Sequence, residues 1–461
     1  MAAASALGTL GQIAELPATR RVRVGVTGLA RAGKTAFLTS VAANLLAAGA
    51  GVPVLPALAV RAGARPFSVA LAPSGASDMP RFDYAAHLAA LAADPPRWPA
   101  RTDAVSLLAL DLRIGWTGLL TPLPSRRVVL EFLDYPGEWL LDLPLLAQDF
   151  RAWSQAVLRR LERPEAAAVA RDFLAFQRGL PAGAAADEAL AAAGHALYRA
   201  ALARLRDEAG LSFLQPGRFL MPAPGPEPPW MGFFPHTGEG GLAGLLRERY
   251  EAYRDAVRAA MQAPAFGRVD RLVVLADVLA ALHAGPAAFA DTEAALGAVA
   301  RALRWRGSWL GALADQLPSW LAAGLGLGGI ARVAFAASKS DHVAERQRGN
   351  LAALVRALTE VPEQAAAGAF AIASVRCTED FVWSLEGRNI SAVRGRVLGE
   401  ARLTRSYPGE VPDRPPGPEF WKHAFLAPPV FEPMRLPDGG RAGVPQIGLD
   451  ALLAFLLEDV L

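Results

Sequence analysis

Eight residues near the amino end carry the strongest chemical signal in this chain. Gly28-Leu29-Ala30-Arg31-Ala32-Gly33-Lys34-Thr35 satisfies G-x-x-x-x-G-K-[ST] at every position. Gly28 and Gly33 let the backbone curl, so that the amides of Ala30, Arg31, Ala32, Gly33 and the residues up to Ala36 face inward onto phosphate oxygens. A helix that follows adds its positive N-terminal end. Lys34 is placed to reach β- and γ-phosphates as a compact cation, and Thr35 offers a hydroxyl to Mg²⁺. Only three of the 47 lysines and arginines are lysine, at 34, 339 and 422. A chain that otherwise uses arginine keeps an ammonium where a planar guanidinium is not equivalent.

A second constellation fits the metal and the γ-phosphate. Asp134 ends the apolar run Val128-Val129-Leu130-Glu131-Phe132-Leu133, and Asp134-Tyr135-Pro136-Gly137 reads D-x-x-G. An acid there can hold a Mg²⁺-bound water, while the Gly137 amide senses the γ-phosphate. Glu138 stands where a water-orienting glutamine often sits; a catalytic role and a surface salt bridge are both open for it. Arg31 is either a transition-state cation or an exposed loop arginine. The first-switch hydroxyl for Mg²⁺ is expected at Thr102, with Ser106 second and a plain loop cap as the bland reading.

A third constellation reads a base. Ser338-Lys339-Ser340-Asp341 follows an apolar run; the Asp341 carboxylate can accept from N1 and N2 of guanine, and the Lys339 stem can lie on the purine face. Ser340 or Asp341 could equally cap a helix starting near His342. Ser374 and Val375, after the next apolar run, are expected near the purine carbonyl. Asp277 ends another apolar strand, but lacks the glycine that completes the motif at Asp134. Cys377 reads as a small packed residue. The six histidines show no metal-ligand spacing, and one cysteine excludes a disulfide framework and a cysteine-rich zinc or iron–sulfur site.

These groups need a scaffold that brings strand ends together. Arg21–Thr27 reads as a buried strand and Lys34–Ala48 as a helix stopped by Gly49. Residues 49–103 are rich in Pro and Gly, with one helical patch near Tyr84–Ala93. Val105–Ile114 and Arg127–Leu133 predict a long antiparallel hairpin. Strands are expected at Arg271–Ala276, Ala331–Ala337 and Ala369–Ser374, with helices at Asp291–Arg304, His342–Thr359 and Leu449–Leu461. The fold class is α/β: a P-loop, G-domain-like, mostly parallel sheet with a large inserted helical subdomain. The expected boundaries are 1–139 for the first part of the core, 140–268 for the helical insertion, and 269–461 for the second part with a C-terminal extension.

Composition sets the outer limits. The chain has 461 residues, 52% hydrophobic and 20% charged, which excludes wholesale disorder. The net charge of +3 gives no nucleic-acid footprint. Met1–Ala18 lacks the basic start of a secretory signal, and the scarcity of cysteine suits a reducing, cytoplasmic setting. Residues 35–60 carry no charge but are broken by Gly49, Gly51, Pro53 and Pro56; residues 316–331 are uncharged but short for a span. The Trp305, Trp309 and Trp320 segment is expected to pack in the core or to face a membrane or partner.

With these motifs in hand, the chain resembles the YcjX-like proteins, a bacterial family of stress-associated P-loop proteins. The resemblance rests on Val26-Thr27-Gly28 through Thr35-Ala36-Phe37, on Phe132 through Trp139, and on Ser338 through His342. Leu214-Gln215-Pro216-Gly217-Arg218-Phe219-Leu220 and Pro445-Gln446-Ile447-Gly448 match it as well. It implies a G-domain-like core with a helical insertion, an adenine or guanine nucleotide, and a gene often beside that of a membrane protein. The expected function is a switch that hydrolyses Mg·GTP to GDP and signals through its insert. An ATPase on the same fold and a nucleotide-stabilised scaffold with negligible turnover are the alternatives. Expected partners are guanine nucleotide and a protein, with a membrane protein or a second copy of the chain as candidates, and no nucleic acid. The expected place is the cytoplasm, with a peripheral position at the inner membrane as the alternative.

Overall fold

The computed structural model describes residues 19–460 apart from 62, 64, 66, 73–78, 101–104, 117–124, 223–224, 263–268, 308–329, 361–365, 386 and 401. Its centre is a seven-stranded sheet. The strands are β1 (Arg20–Gly28), β2 (Phe67–Leu71), β3 (Ser106–Ile114), β4 (Arg126–Asp134), β5 (Arg271–Ala276), β6 (Arg332–Ala337) and β7 (Ala367–Ala371), in the order β2-β3-β4-β1-β5-β6-β7. β4, β1, β5, β6 and β7 run parallel, and β2 and β3 are antiparallel additions at one edge. This is a mostly parallel α/β sheet of the P-loop, G-domain-like kind. The five parallel strands all end on the same edge, which is where ligands of such sheets bind.

Near-continuous apolar runs make these strands, because both faces are covered. One face packs under the helix Lys34–Gly49 and the C-terminal helix Leu449–Leu457, through Phe37, Leu38, Val41, Leu45, Leu452, Leu453 and Leu456. The other packs under Val278–Ala284, Pro286–Gly307 and Glu345–Thr359, through Leu279, Leu296, Val299, Leu351 and Leu354. Full burial of each such side chain contributes about 1.5–3 kcal/mol. The helices Phe150–Leu161, Arg171–Gly179, Glu188–Asp207 and Gly241–Gln262 enclose a core of their own. There Trp153 stacks on Tyr250 at 5.0 Å, within a cluster that includes Tyr198, Phe219, Phe233 and Tyr253.

Several elements depart from the expectation. The segment 49–103 also holds the short helix Pro56–Arg61 and strand β2, which pairs antiparallel with β3. The helix expected from His342 starts at Glu345, after a 3-10 turn over Ser340–His342. β7 lies two residues earlier at its start than the apolar run suggested, and ends at Ala371. A separate three-stranded antiparallel sheet, β8 (Thr378–Leu385), β9 (Arg388–Arg396) and β10 (Leu403–Ser406), occupies the C-terminal extension. Among the described residues no helix is long and apolar enough to cross a membrane. Met1–Ala18, Trp309 and Trp320 lie outside the described residues.

Candidate functional site

β1 delivers the glycine loop to the carboxyl edge of the sheet. Its curl depends on two glycines used differently. Gly33 adopts φ +84°, a left-handed conformation that favours glycine, immediately before the helix begins. Gly28 is held by proximity: a Cβ there would lie 2.5 Å from the Leu275 carbonyl oxygen, which also accepts from the Leu29 amide at 2.9 Å. Arg31 is left-handed too, at φ +64°. Lys34 and Thr35 open the helix Lys34–Gly49.

A cavity of about 270 Å³ forms over this loop. It is lined by residues 30–36, including Arg31, Lys34 and Thr35, by Trp98, Pro99, Asp134, Pro136 and Glu138, and by Met221 from the helical region. Asp134 and Glu138 are nearly fully buried. The oxygen-donor chemistry of Thr35 and Asp134 beside Lys34 fits a Mg²⁺ ion. In addition, among the described residues the Ser106 hydroxyl is buried without a hydrogen-bond partner, on the residue paired directly with Asp134 in the β3–β4 register. Thr102 lies outside the described residues.

Gly137 sits against the loop itself. A Cβ on it would fall 1.5 Å from the Gly28 carbonyl oxygen, so only glycine permits this approach. The next layer is also backbone on backbone: a Cβ on Gly217 would fall 1.7 Å from the Glu138 carbonyl oxygen. The segment after Gly137 is therefore sandwiched between the phosphate loop and the segment 214–221. Side chains fasten that sandwich. Gln215 Nε2 donates to the Leu141 carbonyl at 2.5 Å, Trp139 Nε1 to the Met221 carbonyl at 2.6 Å, and the Arg218 guanidinium lies 4.9 Å from the Trp139 ring centre. Asp142, fully buried, accepts from the Gly217 amide at 2.7 Å and from the Tyr253 hydroxyl at 2.6 Å. Burial pushes the Asp142 carboxyl up to about 6, against the pull of Tyr253, Arg218 and Gly217.

A second cavity, of about 380 Å³, adjoins the first. Ala32, Gly33, Ala36 and Trp98 line both. The second is walled by Asp277, Lys339, Asp341, His342, Ser374, Val375 and Cys377, and by Ala427–Phe431 of the C-terminal extension. Lys339 Nζ, on a residue with φ +59°, reaches Asp277 Oδ2 at 2.5 Å. Asp277 also caps the helix Val278–Ala284 by accepting from the Ala280 amide. Asp341 does not cap the helix at 345, whose first amide instead donates to Asp380. Its Oδ2 accepts from the Cys377 amide at 2.7 Å and from Cys377 Sγ at 3.0 Å. Burial raises the Cys377 thiol and lowers the His342 imidazole.

The structure thus brings Lys34, Thr35, Arg31, Asp134 and Glu138 together, and Lys339, Asp341, Ser374 and Val375 together, in two chambers of one cleft. Sequence reasoning missed Trp98, whose indole Nε1 donates to the Phe431 carbonyl at 2.7 Å across the seam. It missed the wall Ala427–Phe431 and Met221 as well. The two accessory motifs have structural work. Gln215–Arg218 presses on the segment after Gly137. Ile447 exchanges backbone bonds with Ala373, and the Pro445 carbonyl accepts from the Arg376 amide, which braces the loop carrying Ser374 and Val375.

Comparison with known proteins agrees in extent with these observations. A model of the YcjX-like family matches residues 22–461. The chain is similar to the Ras-like GTPase YcjX of Escherichia coli, at 36% identity over 96% of this chain and 96% of that protein. It is also similar to the Ras-like GTPase YcjX of Shewanella oneidensis, at 31% identity over 96% and 95%.

Proposed function

We propose that this chain, which belongs to the YcjX-like family, is a guanine-nucleotide switch that hydrolyses Mg·GTP to GDP and phosphate. The observation that carries this reading is the pair of adjoining chambers. One holds the loop lysine with two acids, and the other holds the Asp341 carboxylate beside Lys339, Ser374 and Val375. A nucleotide with its phosphates on 28–36 and its base at 338–341 and 374–375 spans both.

In this reading the amides of residues 30–36 and Lys34 hold the β- and γ-phosphates. Thr35 and Asp134, with Thr102, would hold the metal. Bound Mg²⁺ would neutralise charge on the β- and γ-phosphate oxygens. Glu138 orients the attacking water, and Arg31 stabilises charge that develops at the γ-phosphate. Lys339 lies on the purine face, and Asp341 accepts from N1 and N2 of guanine. Gly137 senses the γ-phosphate, and its loss is passed through the clamp at Gln215–Arg218 to residues 140–268, acting as an insertion between core parts 1–139 and 269–461. The names of the two relatives support the choice of GTP. The recipient would be a protein at the inner membrane or a second copy of the chain, met from the cytoplasmic side.

Competition between labelled GTP and unlabelled ATP tests the base assignment, with Asp341→Asn alongside. The substitution keeps size and replaces an acceptor by an amide that opposes guanine's donors. Hydrogen bonds to a charged group contribute about 1.5–3 kcal/mol, so the GTP preference should fall by roughly 50-fold. Equal uptake of ATP by the native chain, unchanged by Asp341→Asn, would favour the ATPase reading.

A further inference from the structure

Three side chains of different donor chemistry converge on one corner of the second cavity. Asp341 and His342 lie on the 3-10 turn after β6, and Cys377 lies at the start of β8's approach, 35 residues further on from His342. Cys377 Sγ is 3.0 Å from Asp341 Oδ2 and 3.4 Å from His342 Nε2. The oxygen, nitrogen and sulfur donors all fall within 4.8 Å of one another, and all three residues face the cavity. A tetrahedral ion bonded at about 2.0 Å to oxygen and nitrogen and about 2.3 Å to sulfur spaces its donors roughly 3.3–3.6 Å apart. The two separations from sulfur are within about half an ångström of that requirement. Nearby cations are already engaged: Lys339 with Asp277 at 2.5 Å, and Arg376 with Asp380 at 3.6 Å.

We propose that Asp341, His342 and Cys377 form a binding site for a thiophilic divalent cation of the Zn²⁺ class, with its fourth position open to the cavity. Thiolate and imidazole select such an ion over Mg²⁺, so the site is chemically separate from the oxygen donors at Thr35 and Asp134. Binding releases the thiol proton to solvent and leaves the thiolate on the metal. Asp341 Oδ2 cannot serve the ion and the guanine edge together, so metal and base exclude each other. That exclusion rests on the guanine reading; the site itself does not. Spacing in the sequence gave no hint of it, because the third donor arrives only through the pairing of the β6 and β7 loops.

Cobalt(II) is the probe, since thiolate ligation gives an intense near-ultraviolet charge-transfer band. The chain has a single cysteine, so the band reports this corner alone. The full-length chain, in excess Mg²⁺ and without nucleotide, should develop the band to one equivalent, and Zn²⁺ should displace it. Cys377→Ser should abolish the band, and His342→Ala should weaken cobalt affinity by on the order of 100-fold, each with a thermal unfolding profile close to native. No band in the native chain, or full affinity in His342→Ala, would overturn the proposal. GDP should lower cobalt affinity in the native chain. A band that forms normally in a chain that binds no guanine nucleotide would leave the metal site standing and remove the guanine assignment.

Discussion

The two chambers of the cleft are built from different materials. The chamber over the glycine loop is made by backbone meeting backbone. Gly28 lies against Leu275, Gly137 against Gly28, and Gly217 against Glu138, all at distances that leave no room for a Cβ. The chamber at Lys339 and Asp341 is made by side chains in mutual contact: Lys339 with Asp277, and Asp341 with Cys377. A site made of backbone tolerates changes of side-chain chemistry but not of bulk. A site made of side chains tolerates neither loss of a partner nor inversion of a donor. The first is also coupled outward, through Gly217 and Asp142, to a separate helical core; the second is coupled to the C-terminal extension through Trp98 and Phe431.

The sharpest way to break this contrast is Gly137→Ala. One methyl group, 1.5 Å from the Gly28 carbonyl, must displace the loop or the segment after Asp134. Because a misplacement of about 1 Å can cost 100-fold in rate, phosphate release should fall by at least roughly that factor. Asp341→Asn should have a smaller effect, on nucleotide choice and not on phosphate grip. If Gly137→Ala hydrolysed GTP at the native rate, the close approach would have no functional meaning. If Asp341→Asn weakened GTP and ATP equally, the chambers would not be separable.

A gentler probe addresses the outward coupling. Asp142 titrates near 6 in the fold, above its ordinary value near 3.8, chiefly through burial. The folded state therefore holds a proton that the unfolded chain has released between about pH 4 and 6. The stabilisation from this group is complete below about pH 4 and is lost as pH rises through 6, by roughly 3 kcal/mol. Asp142→Asn keeps an acceptor for the Gly217 amide, replaces the oxygen that accepts from the Tyr253 hydroxyl by an amide that can donate to it, and cannot ionise. Denaturant unfolding at several pH values should show the variant gaining on the native chain as pH rises from 4 to 7. A difference that stays flat would mean that Asp142 is solvated or paired more tightly than its burial implies.

How much of this was legible beforehand follows from the same contrast. Backbone-built features announce themselves by glycine and spacing, so the phosphate loop, Asp134 and Gly137 were readable, as were the long apolar strands β1, β3, β4 and β5. Elements set by side chains from distant segments were not. β2 is a five-residue edge strand with mostly exposed side chains inside a segment rich in Pro and Gly. The sheet β8–β10 leaves Val382 and Leu403 exposed, so its pattern never resembled a buried strand. Trp98 carried no local signal because its partner, the Phe431 carbonyl, is 333 residues away. Asp341 does not cap the helix that follows; it accepts from Cys377, a contact that no local spacing encodes.

The central claim is that residues 28–35 grip a polyphosphate, with Lys34 supplying the charge. Calorimetric titration of the intact chain with Mg·GTP, native and Lys34→Ala, tests it most directly. The account predicts one site per chain, weakened on the order of 100-fold in the variant. An absence of binding heat in the folded native chain at several temperatures, or an unchanged affinity in Lys34→Ala, would contradict it.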